Sequence, residues 1–186
     1  PNFNLEYNLT KIQIEERLEK LIRYSEPKEN TETLFIWPEG VFSGYNFESI
    51  IGLKEIFYNN FGESHLILFG INRFDKKKNG LYNSLIIVNN RLEILQEYRK
   101  QKLVPFGEFL PFEKILSSLG LKKITEGYGS FLKARNQSNL IIGELNILPL
   151  ICYEIIFTEL IQKSNFNNLI INISEDAWFG DSIGPS

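Results

Sequence analysis

The strongest constraint on the fold is a set of short apolar runs with little polar alternation: TLFIW (33–37), HLILFGINRF (65–74) and NLIINIS (168–174). A strand that is apolar on both faces has to be covered on both faces. That argues against an open sheet with one wet side and for a layered α/β structure with helices outside the sheet. LYNSLIIVN (81–89) and LEILQEY (92–98) flank NNR and predict a hairpin. NLIIGELNILPLICY (139–153) reads as two strands with a tight connection around Glu144 and Asn146. The antiparallel pairs among these strands predict a mixed sheet.

Between the strands the hydrophobic period changes. Ile14, Leu18, Leu21 and Ile22 form one apolar stripe and predict a helix over 10–24, with Thr10 and Gln13 as its capping box and Pro27 beyond its end. Ile50, Leu53 and Phe57 predict a second helix over 48–61, closed by Gly62. EKILSSLG (113–120) and EIIFTELIQKS (154–164) predict two more.

Charge narrows the function. With 20 basic and 23 acidic side chains the net charge is -3, so the basic excess of a nucleic-acid-binding face is missing. Lys76, Lys77 and Lys78, beside Gly80, read as a solvated hairpin tip. Cys152 is the only cysteine, which excludes an internal disulfide. No apolar run reaches the roughly 18 residues of a membrane span, and no signal peptide is visible. The chain starts at Pro1, contains no methionine and stops in the loop GDSIGPS. The expectation is one partial domain, 1–186, cut from a longer chain and incomplete at its C-terminal end.

Three predicted strand ends carry polar residues that a core would not favour: Glu39 after FIWP, Lys100 after EYR and Cys152 after LPLI. In layered α/β folds ligands gather beyond strand ends. Together the three make a coherent set. The carboxylate takes the thiol proton, the thiolate attacks a carbonyl, and the ammonium stabilises the oxyanion. Glu39 and Lys100 are also expected to support each other if buried. The Tyr153 N–H is a second oxyanion donor, and a helix starting at Glu154 would add its dipole. Each residue alone has a plainer reading: a packed cysteine, a turn carboxylate, a surface lysine. His65, the single histidine, opens a strand and is expected to be non-catalytic; one Cys and one His also argue against a metal site.

Taken in order, WPEG, YRKQKLVPFGEFLPFE, CYE and NISEDAWFGDSIGP resemble the nitrilase (carbon–nitrogen hydrolase) superfamily and, within it, the apolipoprotein N-acyltransferases. The resemblance implies an αββα sandwich and a Glu–Lys–Cys triad: Glu39 as general base, Lys100 as triad lysine and Cys152 as nucleophile. It implies supporting roles for Glu108, Tyr153 and Glu154, a pocket-lining role for Asn83, and neither cofactor nor metal. The implied reaction moves a fatty acyl chain from a phospholipid donor, through a Cys152 thioester, to the N-terminal diacylglyceryl-cysteine amine of an apolipoprotein acceptor. The implied setting is the periplasmic side of the bacterial inner membrane, reached through membrane helices that this piece lacks. Phe42, Phe106, Phe109, Trp178 and Phe179 lie beside the motifs and are candidates for apolar walls that exclude water.

This sequence departs from the family pattern at three places. Lys102 stands where a histidine is common, Glu175 where an asparagine is common, and Tyr7 lies where a Lys–Trp pair would be sought. Two other readings stay open at this point. One is a soluble amidase or nitrilase with the same triad and water as acceptor; the other is an inactive fragment with a merely packed Cys152.

Overall fold

The structure is a computed structural model and describes residues 9–109, 111, 130–163 and 166–175. The predicted helix 113–120, Tyr7, Trp178 and Phe179 lie outside the described residues.

Helix α1 (Lys11–Ser25) begins with the expected capping box: the Thr10 side chain accepts from the Gln13 N–H while the Gln13 side chain accepts from the Thr10 N–H. It buries Ile14, Leu18 and Leu21. The single helix predicted over 48–61 is instead α2 (Phe47–Ile50), a 3₁₀ turn (Ile51–Leu53) and α3 (Lys54–Asn60). Gly52 sits at the break, where the weak helix preference of glycine lets the chain tighten while Ile50, Leu53 and Phe57 stay buried.

The strands form two sheets. In the first, β1 (Thr33–Ile36) runs parallel to β2 (His65–Asp75), which pairs antiparallel with β3 (Gly80–Val88), and β3 with β4 (Ile94–Arg99). In the second, β5 (Leu140–Ile142) pairs antiparallel with β6 (Leu145–Ile151), and β6 runs parallel to β7 (Leu169–Ile173). Among the described strands β1 is an edge, with Ile36 exposed, not the doubly covered strand its apolar run predicted. The β5–β6 connection falls at Gly143–Glu144, and Asn146 lies inside β6. Lys76–Lys78 form the tip of the β2–β3 hairpin, where Asp75 Oδ1 accepts from the N–H groups of Lys77 and Lys78.

Strand alternation sorts the core into layers. Ile67, Phe69, Ile71, Ile86 and Val88 face α1–α3. Leu68, Leu85, Ile87 and Tyr98 face the second sheet and pack against Ile147, Ile151, Ile171 and Ile173. Leu148 and Leu150 turn outward onto helix α4 (Thr158–Lys163) through Leu160. This order, helix–sheet–sheet–helix, is the expected sandwich. The Gln96 side chain fastens the two sheets, accepting from the Ile141 N–H at 2.8 Å and donating to the Ile141 carbonyl.

His65 is buried with both ring nitrogens engaged: Nδ1 accepts from the Gly62 N–H and Nε2 donates to the Lys28 carbonyl, each at 2.9 Å. It is a structural residue. No helix among the described residues is long and apolar enough to cross a membrane.

Candidate active site

The inner face of the first sheet is apolar in its middle and polar at one end. Two residues before Leu85 on β3 comes Asn83. Two residues after Tyr98 on β4 comes Lys100, whose N–H donates to the Asn83 carbonyl at 2.9 Å. The period of two therefore points both side chains between the sheets, where Leu85 and Tyr98 also point. Glu39 arrives from the third direction. The β1–β2 ladder continues to Trp37, whose N–H donates to the Leu68 carbonyl, and the chain then crosses Gly70. A Cβ on Gly70 would lie 3.2 Å from Glu39 Cα and 3.0 Å from Ile173 Cδ1, so glycine is what lets all three approach. Gly70→Ala is expected to shift the Glu39 backbone or the end of β7 and to lower stability by about 1–3 kcal/mol. A denaturant midpoint measures this.

These side chains form one network. Asn83 Nδ2 donates to Glu39 Oε1 at 2.9 Å and to Glu108 Oε1 at 2.8 Å. Lys100 Nζ donates to Glu108 Oε1 at 3.0 Å, and Glu108 Oε2 accepts from the Val104 N–H at 2.9 Å. Lys100 and Glu108 are 2% and 7% exposed, so the ion pair is out of water. The expected mutual support of Glu39 and Lys100 is thus indirect. The direct partner of Lys100 is Glu108, Asn83 bridges Glu108 to Glu39, and Lys100 acts on Glu39 through charge alone.

Cys152 follows the last residue of β6, with φ at 52°. That left-handed conformation is unusual for a side-chain-bearing residue and turns the thiol out of the strand alternation. The predicted helix over 154–164 begins instead as a 3₁₀ turn (Cys152–Ile156), breaks at Phe157 and resumes as α4, so no long helix dipole points at the thiol. The cause is Glu154, which is fully buried. Its Oε2 accepts from the Ile151 N–H at 3.0 Å and the Tyr98 hydroxyl at 2.9 Å. Its Oε1 accepts from the N–H groups of Gln101 at 2.6 Å and Lys102 at 2.9 Å. One carboxylate thereby ties the Cys152 turn to the loop after Lys100. The Tyr153 N–H and the Ser174 hydroxyl both favour the ionised form of the Cys152 sulfur.

Burial sets the electrostatics. It is the largest influence raising the Glu39 carboxyl above the ordinary range, aided by Glu108 and Glu154 and opposed by Lys100 and the Asn83 hydrogen bond. Burial also works against the Lys100 ammonium, but Glu39 and Glu108 outweigh it and hold the lysine above its usual value. The thiol of Cys152 is raised by burial and then by Glu39, against Lys100, Ser174 and the Tyr153 N–H. At neutral pH the sulfur therefore rests as a thiol and needs a base. Cys152 is coupled to Glu39 and Lys100 by charge; among the described residues no hydrogen bond joins the sulfur to either.

The structure brings Glu39, Asn83, Lys100, Glu108, Cys152, Tyr153 and Glu154 to this end of the sandwich. Phe42 is a core residue against Phe69, not a site wall, because the turn after β1 tucks it under the helix layer. Phe106 is exposed and adopts φ of 62° in the loop that carries Glu108, with Phe109 half-buried beside it. Lys102 pairs with Glu159 and lies over the Phe157 ring. Glu175 rests on the glycine after Glu39: a Cβ on Gly40 would be 1.5 Å from its Oε2. Sequence reasoning did not single out Gly70, Asn172 or Ser174. With its nitrogen turned toward them, the Asn172 amide donates to the carbonyls of Leu150 and Cys152, 3.3 Å from each. No cluster of three metal-ligating side chains occurs among the described residues.

The chain resembles known proteins in both sequence and fold. The chain is 35% identical over 158 residues to an apolipoprotein N-acyltransferase of Allorhizobium ampelinum, and 37% identical over 193 residues to one of Wigglesworthia glossinidia brevipalpis. Those matches cover 82% and 93% of this chain but 30% and 36% of the relatives, so the chain spans about a third of their length. Among solved structures, an amidase from Nesterenkonia sp. superposes with a TM-score of 0.57 at 16% identity, over 96% of this chain and 66% of the amidase. A glutamine-dependent NAD+ synthetase from Acinetobacter baumannii gives 0.56 at 16% identity, over 87% of this chain and 30% of the synthetase. The fold is that of the nitrilases. The carbon-nitrogen hydrolase family model matches residues 5–186, essentially end to end, and the chain belongs to that family.

Proposed function

We propose that this chain is the acyl-transfer domain of an apolipoprotein N-acyltransferase, acting at the periplasmic face of the bacterial inner membrane. The observation that carries the reading is the convergence at one end of the sandwich of a half-buried thiol at a left-handed strand end, a buried ammonium and a carboxylate. The similarity to two curated N-acyltransferases supports the choice of acceptor chemistry.

In the first half-reaction Glu39 takes the proton from Cys152 Sγ, and the thiolate attacks the carbonyl carbon of a phospholipid acyl ester. A C–S bond forms, and the charge that moves to the carbonyl oxygen is met by Lys100 and the Tyr153 N–H. Collapse breaks the C–O bond, the alkoxide takes the proton held by Glu39, and lysophospholipid leaves. In the second, the α-amine of a diacylglyceryl-cysteine attacks the thioester and Glu39 takes its proton. The C–S bond breaks, and the thiolate recovers a proton as the amide departs. Asn83 and Glu108 hold Glu39 and Lys100 in place. Glu154 fixes the turn that carries Cys152 against the loop that follows Lys100.

Incubating the full-length protein with phospholipid vesicles is expected to add one fatty acyl mass to the peptide containing Cys152. A diacylglyceryl-cysteine peptide is expected to discharge that mass into an amide faster than water discharges it into free fatty acid. Cys152→Ala should carry no adduct. Rapid hydrolysis with no peptide acylation would sink the transferase reading in favour of a hydrolase; an adduct on another residue would remove Cys152 as nucleophile.

A further inference from the structure

The thiol of Cys152 has two unfavourable neighbours, an apolar surround and the Glu39 carboxylate, and its nearby cation is already bound to Glu108. What holds the sulfur once it is ionised is therefore a question of donors. The parallel register of β6 and β7 sets Ile151 beside Ile173. The next residue of each strand is Cys152 on one side and Ser174 on the other. The end of β7 is pinned at that place twice over: Ile173 Cδ1 lies against Gly70, under Glu39, and the Asn172 amide holds the Cys152 carbonyl. The left-handed backbone at Cys152 takes the thiol out of the strand alternation at the point where the neighbouring strand ends in Ser174, whose hydroxyl favours the ionised sulfur.

We propose that Ser174 is a catalytic residue of this site, whose hydroxyl donates to the Cys152 sulfur in its thiolate form and holds the attacking anion. The Tyr153 N–H is the other donor to the sulfur. In the tetrahedral state it is wanted by the oxyanion, so Ser174 is the donor dedicated to sulfur. Ser174 keeps its own proton throughout: the thiol proton goes to Glu39, and no bond to the serine oxygen forms or breaks. When the C–S bond closes, the sulfur loses its charge and becomes a weak acceptor, and the hydroxyl is released. When the thioester is later cleaved by the amine, the same hydroxyl receives the returning thiolate, so it assists departure as well as attack.

The charged groups around the sulfur are Glu39 from the end of β1 and Lys100 from the end of β4. Behind them stand Glu108 in the loop after β4, Glu154 on the 3₁₀ turn, and Glu175 after β7 against Gly40. A change at Ser174 leaves all five in place. A hydrogen bond to a charged sulfur is worth about one unit of thiol pKa. Nucleophilicity falls with acidity at a slope of about 0.4–0.5, so the two effects offset by about half on a logarithmic scale.

The test is the pH dependence of Cys152 alkylation by iodoacetamide in the full-length protein, read by peptide mass spectrometry. Ser174→Ala is expected to move the midpoint up by about one pH unit, to slow alkylation about threefold at neutral pH and to speed the high-pH limit about threefold. Ser174→Thr, which keeps the hydroxyl, is expected to return both. A serine that only packs would leave midpoint and limit where they are. An unchanged midpoint in Ser174→Ala overturns the proposal, as does a raised midpoint that Ser174→Thr fails to lower while circular dichroism shows the fold intact. The proposal rests on Cys152 being the nucleophile and not on which acyl donor or acceptor it serves. Alkylation needs no lipid, so a missing acyl adduct would count against the transferase and an unmoved midpoint against Ser174.

Discussion

Lys100→Met is expected to lower stability by about 3–5 kcal/mol and to abolish acyl transfer, and adding Glu108→Gln is expected to restore most of the stability and none of the activity. The first loss follows from the burial of Glu108, whose Oε1 accepts from both Lys100 and Asn83. Removing the lysine leaves a buried carboxylate without a cation, which is the expensive way to break a buried pair. Making Glu108 neutral removes the uncompensated charge while an amide oxygen remains to accept from Asn83, so the denaturant midpoint should rise again at unchanged slope. The second loss has a different origin. Lys100 is the cation that acts on both Glu39 and Cys152. Without it the carboxyl stays protonated further up the pH scale, and the oxyanion loses a donor worth about 10²–10³ in rate. Recovery of acyl transfer in the double variant would show that the lysine serves the fold and not the reaction.

The elements that were legible in the sequence are those whose signal is local. The apolar run at 65–74 is a strand because nothing but a covered sheet accommodates it; the run at 168–174 is a strand as well, but with Ile171 and Ile173 buried and Ile170 exposed it is covered on one face, not on the two its composition predicted. Helix α1 is written in its stripe and its capping box. Glu39, Lys100 and Cys152 stood out because each stands at the end of a predicted strand. What could not be read depends on partners remote in the chain. Residues 154–164 have a helical pattern, but Glu154 is drawn into bonds with the N–H groups of Gln101 and Lys102, so the first turn tightens and the helix restarts at Thr158. The choice of Glu108 over Glu39 as the partner of Lys100 depends on how the loop after β4 folds back, with the Val104 N–H holding the second carboxylate oxygen. Ser174 was invisible for a related reason: its place beside Cys152 is a consequence of the register between two parallel strands, which a linear sequence does not print.

Glu39→Gln is expected to reduce thioester formation by about 10²–10⁴ while leaving the fold intact, because the amide oxygen can still accept from Asn83. The pH dependence makes the assignment specific. Burial holds the Glu39 carboxyl above the ordinary range, so the wild-type rate of thioester formation should climb with pH through a limb above that range as the base ionises. The glutamine variant should lack that limb. Stability should move the other way. A carboxyl whose folded pKa is raised binds more protons in the native state than in the unfolded one between the two values, so its contribution is present below the unfolded pKa and is lost as pH rises through the folded one. The wild type should therefore lose ground to Glu39→Gln in denaturant midpoint over the same window in which its activity appears. Activity and stability would then be opposed at one side chain, the mark of a carboxylate kept in an apolar place for its basicity. If the wild type instead gains stability on the variant as pH rises, Lys100 dominates over burial, Glu39 rests ionised well below neutrality, and the acid limb must belong to another group.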